Sequence, residues 1–435
     1  MGLFAHLYNA GIGAYPWVVR LASTVNRKAR LWYAGQQGVV DRLLAAPGLR
    51  PHNPASRPLA WFHAASLGEF EQGRPVIEAF RQHYPHYRIL LTFFSPSGYE
   101  VRKDYDGVDY VDYLPVDTPA NARRLVKGLQ PAIAFFIKYE FWANYLRELK
   151  AAGAVVISFS AIFRPDQLFF KPYGGFYRQM LHQFDQLLVQ NQESVDLLAS
   201  IGITQVRLGG DTRFDRVAQT AATIRTIPVA ASFRRQADGT SAPVLVVGSA
   251  WQSDMDVLVP FLNQFDRPLK VIIAPHEIHS DELTRWQQQL RRPSIRYSEA
   301  GTGSPDRLAE AAVLFIDNIG MLSSLYQYGT FAYIGGAFRE GLHNILEAAT
   351  FGMPIFFGPV YDKYQEAVEL VAEGGAFPIS STADLLAAFG RQYADHASAD
   401  QITRSYVLRN VGATAAVMNV VTQLLGTPPT PADAP

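Results

Sequence analysis

The chain has 435 residues, more than one compact core accommodates, so two domains of ordinary size are the natural division. Apolar residues make up 48%, enough to fill two cores, and 39 acidic side chains balance 39 basic ones, which excludes the one-signed field of a general nucleic-acid binder. There is no cysteine, so disulfides and thiolate metal sites are excluded as well.

Residues 3–25 are rich in Leu, Ala, Val, Tyr and Trp and run into Arg27, Lys28 and Arg30. His6, Asn9, Pro16 and Arg20 interrupt the stretch and make it a poor spanning helix. It reads as an interfacial anchor, with Tyr15 and Trp17 at headgroup level and the basic cluster on anionic lipid; a helix packed on the protein itself is the alternative. After the Pro- and Arg-rich stretch 46–58, strand-like apolar runs alternate with amphipathic helical stretches. Residues 59–63, 89–94, 110–114, 132–137 and 155–160 give a first series of buried strands. Residues 244–248, 269–274, 313–316, 331–334 and 354–357 give a second. Such alternation implies parallel sheets with helices on both faces. The polar stretch 214–243 reads as the connection between domains. Residues 402–425 read as helical and suited to cross back to the first domain, and the Pro/Thr/Ala-rich tail from 427 reads as disordered.

Ligands of doubly wound sheets sit at the carboxyl ends of strands. The motifs that follow strands are therefore the candidates. In Trp61-Phe-His-Ala-Ala-Ser-Leu-Gly-Glu-Phe70, a small-residue turn feeds a helix beginning near Glu69, where the helix dipole stabilises a carboxylate that must be ionised to act as a base. Ser66 and Glu69, three apart, also fit a capping pair. In Lys138-Tyr-Glu-Phe-Trp142, Glu140 faces the ligand crevice or pairs with Lys138 or a nearby arginine. In Ala274-Pro-His-Glu-Ile-His279, His276 and His279 are candidates for an anionic ligand; their spacing also fits a metal pair, but no third ligand is near. Asp254 and Asp256, after Gly248-Ser-Ala-Trp-Gln252, read as first-turn acids stabilising a helix rather than as metal carboxylates. In Tyr333-Ile-Gly-Gly-Ala-Phe-Arg-Glu-Gly-Leu-His-Asn-Ile-Leu-Glu347, a strand runs into Gly335 and Gly336, and a helix is expected to start near His343 or Asn344 with amides suited to a phosphate. Glu347, one turn on, suits ribose hydroxyls. The stretch 163–178, with Arg164, Phe169, Phe170, Lys171, Tyr173, Tyr177 and Arg178, has no regular period. It reads as a loop for an amphiphilic, phosphorylated acceptor, or as a locally packed one.

His63-Ala-Ala-Ser-Leu-Gly-Glu69, Thr92-Phe-Phe-Ser-Pro-Ser-Gly98, Leu114-Pro-Val-Asp-Thr118, Tyr139-Glu-Phe-Trp142, Gln190 and Gly210-Asp-Thr-Arg-Phe-Asp215 occur in that order. Asp317-Asn-Ile-Gly320, Gly335-Gly336, His343-Asn344, Glu347 and Gly358-Pro359 follow. Together, across residues 27–425, they resemble the 3-deoxy-D-manno-octulosonic acid (Kdo) transferases of lipopolysaccharide synthesis. The resemblance implies an α/β GT-B fold: two doubly wound Rossmann-like domains facing an interdomain cleft, with an N-terminal amphiphilic anchor helix. It implies a membrane-associated segment at 1–40, an acceptor-binding domain at 41–225, a nucleotide-sugar donor domain at 226–401, a helix crossing back at 402–425 and a disordered tail at 426–435.

The same resemblance implies an inverting glycosyltransferase that moves Kdo from CMP-Kdo to a lipid A precursor at the cytoplasmic face of the bacterial inner membrane. Glu69 and Glu140 become the catalytic carboxylates. Arg213, Ser249, Pro275, His276, Gly320, Gly335, Gly336, His343, Asn344 and Glu347 become donor contacts, and Ser66, Gly68, Arg164 and Lys171 acceptor contacts. No metal or other cofactor is expected, because CMP departs with one phosphate and its charge needs less neutralisation. The expected partners are CMP-Kdo, the lipid acceptor and a membrane surface, with no nucleic acid. Three places depart from the family pattern: Met321 stands for a Glu, Pro275-His276 for Pro-Arg, and Ser160-Ala-Ile-Phe-Arg164 for Asn-Ala-Arg-Leu-Ser. Two rival readings remain at this level: a UDP-sugar enzyme on the same scaffold (a lipid-linked N-acetylglucosaminyl transferase or a UDP-N-acetylglucosamine 2-epimerase), and a non-catalytic sugar-nucleotide-binding module.

Overall fold

A computed structural model describes residues 3–49, 57–235, 240–300 and 305–426. The tail from 427, much of the 46–58 stretch and residues 236–239 of the connection lie outside the described residues. The chain divides into two compact units, Met1–Arg216 with Val411–Pro435, and Val217–Asn410. The first is built on β1 (Leu59–Ala64), β2 (Arg88–Phe93), β3 (Tyr110–Tyr113), β4 (Pro131–Ile137), β5 (Val155–Ala161), β6 (Gln186–Val189) and β7 (Val206–Leu208). These pair in parallel in the order β3-β2-β1-β4-β5-β6-β7, reversing direction between β1 and β4. The second is built on β8 (Val244–Ala250), β9 (Lys270–Pro275), β10 (Ser294–Arg296), β11 (Val313–Phe315), β12 (Phe331–Ile334), β13 (Ile355–Phe357) and β14 (Ala376–Pro378). Its parallel order is β10-β11-β9-β8-β12-β13-β14, reversing between β8 and β12.

The continuous apolar runs follow from burial on both faces. Along β1, Leu59 and Trp61 enter one core while Ala60, Phe62 and Ala64 enter the opposite one, where Phe62 stacks on Phe135 of β4 at 4.2 Å. The strands unmarked in the sequence are β6, β7, β10 and β14. They have three or four residues each, too short to stand out as extended apolar runs, and Leu208 of β7 is 56% exposed.

The stretch read as one helix at 402–425 is two, Ala397–Asn410 in the second unit and Ala413–Leu425 in the first. The break falls at Gly412, whose φ of +123° few other residues tolerate. Asp215 caps the new helix, accepting from the N–H groups of Gly412 (2.7 Å) and Thr414 (2.8 Å). Val417, Met418, Val420 and Val421 then join the core of Phe62 and Phe135.

The N-terminal helix Leu3–Ala22 docks on the first unit through a buried polar knot. Tyr8 donates to Asp117 (2.6 Å), and the backbone N–H groups of Asn144 (3.0 Å) and Tyr145 (2.8 Å) donate to the same carboxylate. Tyr15 packs edge-on against Trp32 at 5.1 Å while 39% exposed, and Trp17 is 67% exposed. No helix among the described residues is long and apolar enough to cross a membrane. Burial pushes the Asp117 carboxyl up from 3.8 to about 6, against the donors that lower it. The folded-state value lies above the unfolded one. The stabilisation is therefore full below about pH 4 and is lost as pH rises through about 6, a change of about 3 kcal/mol. Urea unfolding between pH 4 and 7 should show that loss, and Asp117→Asn, which cannot titrate, should remove it from the profile.

Candidate active site

In the first unit the strand order reverses between β1 and β4, the position at which doubly wound sheets bind ligands. After β1 the chain turns at Ala65 and Ser66 and enters the helix Leu67–His83, with Ser66 as N-cap and Glu69 in the first turn. The Ser66 hydroxyl donates to the Glu69 carboxylate and makes no bond to the helix backbone, so no capping box forms. At Gly68 a side chain would meet nothing nearer than the Ser66 hydroxyl, at 3.7 Å. The space beside half-buried Glu69 is therefore open to a ligand.

Glu140, just beyond β4, is paired with neither Lys138 nor an arginine. Its Oε2 accepts from the Trp142 indole (2.8 Å) and lies 3.0 Å from Nε2 of fully buried His63, whose Nδ1 lies 2.9 Å from the Thr92 hydroxyl. Lys138 instead sits 5.4 Å over the Tyr139 ring. His63 and Trp142 lay inside the sequence motifs without a role; the structure makes them the holders of a carboxylate whose side chain is 13% exposed. Arg164 donates to the Tyr139 hydroxyl (3.3 Å). Lys171 lies between the short turn Leu168–Phe170 and the helix Gly175–Leu181, and the stretch 163–178 is locally packed, with Phe163 and Phe169 against Phe141. Arg213 belongs to this unit too and donates to Asp211 at 2.7 Å, whereas the other expected donor contacts belong to the second unit.

In the second unit the strand order reverses between β8 and β12. Ser249 turns the end of β8 with φ +55°, and Trp251 caps the helix Gln252–Gln264. Asp254 is more than a first-turn acid. It is fully buried and accepts from Trp251 N–H (2.9 Å), Gly336 N–H (2.9 Å) and the Tyr333 hydroxyl (3.0 Å). Gly335 N–H donates to Gly248 O (2.9 Å). Both glycine amides are thus spent inside the protein, which corrects the expectation that they face a phosphate. The glycines are needed for loop packing: a Cβ on Gly335 would stand 2.2 Å from Ser249 O, and one on Gly336, at φ +93°, 2.2 Å from Gly341 O.

The expected helix start at His343 or Asn344 is also displaced. The helix is Leu346–Ala349, and Asn344 precedes it, accepting from Leu346 N–H (3.1 Å). Of the three polar residues expected on one helix, only Glu347 is helical, and it accepts from Ser323 (2.6 Å) and Asn344 (3.3 Å). His276 stacks against both Trp251 and His343, whereas His279 turns to Glu277 (3.0 Å). Burial, then the neighbouring His276, pushes His343 down to about 4, so it is uncharged at neutral pH. Beside this stack a cavity of about 440 Å³ is lined by Ser249, Pro275, His276, Asn318, Gly320 and Met321. It gathers four of the expected donor contacts; Gly335, Gly336, His343, Asn344 and Glu347 do not line it.

The family described as 3-deoxy-D-manno-octulosonic-acid transferase (kdotransferase) matches residues 38–216. The 3-deoxy-D-manno-octulosonic acid transferase of Chlamydophila psittaci is 27% identical over 341 residues, 75% of this chain and 75% of that protein. The enzyme of the same name from Bordetella pertussis is 26% identical over 402 residues, 87% and 90% of the two chains. The solved UDP-GlcNAc 2-epimerase of Neisseria meningitidis superposes with a TM-score of 0.58 over 85% of this chain and 99% of that one, at 15% identity. At that distance the likeness speaks for the fold alone.

Proposed function

The chain belongs to the 3-deoxy-D-manno-octulosonic acid (Kdo) transferase family and is a glycosyltransferase, and on that premise we propose that it moves Kdo from CMP-Kdo to a lipid A precursor with inversion. The observation that carries the chemistry is that a carboxylate follows each of the adjacent strands β1 and β4, Glu69 in the first helical turn after β1 and Glu140 held by His63 and Trp142. Glu69 takes the proton of the acceptor hydroxyl, whose oxygen bonds to the anomeric carbon of Kdo as the bond to the CMP phosphate breaks. CMP leaves with the electron pair. Glu140 steadies the positive charge that develops on the sugar. Because the Gly335 and Gly336 amides are occupied, stabilisation of the departing phosphate falls to side chains of the second unit, with Ser249, His276 and His343 the nearest set and Glu347 taking the ribose. The scheme uses no metal.

Arg164 and Lys171 suit the acceptor's phosphates. A cavity of about 410 Å³ lined by Tyr8, Tyr139, Phe141, Leu168, Phe169 and Tyr177 offers apolar surface to its acyl chains beside Glu140. Leu3, Leu7, Trp17, Val18 and Leu21, all more than half exposed, together with nearby Arg20, Arg27 and Lys28, suit the cytoplasmic face of an anionic inner membrane. A nucleotide panel followed by thermal unfolding tests the donor class. CMP should raise the melting temperature where UDP does not; the reverse preference would remove CMP-Kdo as the donor. Glu140→Gln should keep the fold and lower transfer roughly a hundredfold, read as kcat on the lipid acceptor.

A further inference from the structure

Three rings meet where β8, β9 and β12 end. Trp251 and His343 lie nearly parallel, 12° apart with centroids 6.5 Å apart, and the indole N–H donates to His343 Nε2 across 3.1 Å. His276 lies flat across both, 4.2 Å from Trp251 and 4.5 Å from His343. An indole N–H only donates, so His343 Nε2 accepts, and a neutral imidazole that accepts at Nε2 carries its proton on Nδ1. Among the described residues, Trp251 is the one side chain that bonds the ring.

We propose that Trp251 is a positioning residue that locks His343 as its neutral Nδ1–H tautomer, so that the ring offers the donor phosphate an uncharged N–H and not an imidazolium. The functional half of this rests on the reading of the chain as a CMP-Kdo transferase; the tautomer does not. The surroundings agree with the lock. His276, stacked on the ring, opposes a second cation there. Glu340, the acid that favours one, is engaged by the Ser253 hydroxyl (3.0 Å), and Asp254 is committed to Trp251, Gly336 and Tyr333. Burial and His276 hold His343 down to about 4. A ring so held keeps one donor pattern through the range in which an unperturbed histidine changes charge.

The test uses the full chain labelled with 15N only at its ten histidines. His343→Gln assigns the signal by its loss. Between about pH 5.5 and 8, wild type should show a protonated Nδ1 and a bare Nε2 at His343. Trp251→Phe keeps a flat ring beneath His276 and removes the N–H. It should show mixed tautomers and an imidazolium forming within that range. Its transfer should fall roughly tenfold in kcat, with less change in KM for CMP-Kdo, and should acquire a pH dependence that wild type lacks. A wild-type His343 that carries its proton on Nε2, or that titrates near the ordinary 6.5 or so, would overturn the proposal. So would a Trp251→Phe protein whose His343 keeps the single Nδ1–H form. The wild-type spectrum decides the tautomer even if the variant folds poorly. Failure of the wild type to use CMP-Kdo would overturn the functional reading alone.

Discussion

Glu69→Gln is expected to lower transfer by roughly two to four orders of magnitude while leaving the fold and donor affinity in place. The substitution preserves shape and still receives the Ser66 hydroxyl, so the turn after β1 and the start of the helix Leu67–His83 should persist. What disappears is the ability to take a proton. A substitution that changes only the proton-taking ability leaves binding in place, so the loss should fall on kcat. Initial rates on the lipid acceptor, with CMP binding measured in parallel, separate the two effects. Near-normal transfer by Glu69→Gln would take the base role from this residue.

Asp254→Ala should be the most damaging structural change in the second unit. It strips the acceptor from Trp251 N–H, Gly336 N–H and the Tyr333 hydroxyl at once, in a site with no solvent to replace it. Each buried donor left unpaired costs about 1–3 kcal/mol, and partial relaxation brings the total to about 3–5 kcal/mol. For a unit of this size the melting transition should fall by about 10 °C. The turn at Gly336 and the capping residue Trp251 would loosen together, so CMP binding should weaken as well. Asp254→Asn, which retains an acceptor oxygen, should lie between alanine and wild type. A Asp254→Ala protein with an unshifted melting curve would show that the carboxylate does not hold these loops.

The parts of the fold legible in the sequence are those whose physics is local. Strands β1, β2, β4, β8 and β9 are buried on both faces and so announce themselves as unbroken apolar runs, whereas β7 and β10, short and partly exposed, carry no such mark. The position of candidate residues just after strands was equally readable, because parallel sheets present ligands at one end. What each residue bonds to was not. Gly336 meets Asp254 across 82 positions, Glu140 meets His63 across 77, and Trp251 meets His343 across 92. Those pairings are set by strand order, which no local pattern encodes. A Gly-Gly pair before polar residues suggests an anion cradle in isolation. Only the opposing acid shows that its amides are already taken. The break at Gly412 has a related origin: the glycine permits it locally, but it is Asp215, far away in sequence, that caps the second helix.

The central claim is Kdo transfer to a lipid, and one reaction tests it most directly. The purified full chain is mixed with a tetra-acylated lipid A precursor and CMP-Kdo generated in place, and the lipid is examined by mass spectrometry. The account predicts a lipid heavier by one or more Kdo residues with matching release of CMP. An unaltered lipid, with UDP-N-acetylglucosamine consumed by the same protein in a parallel reaction, would contradict it.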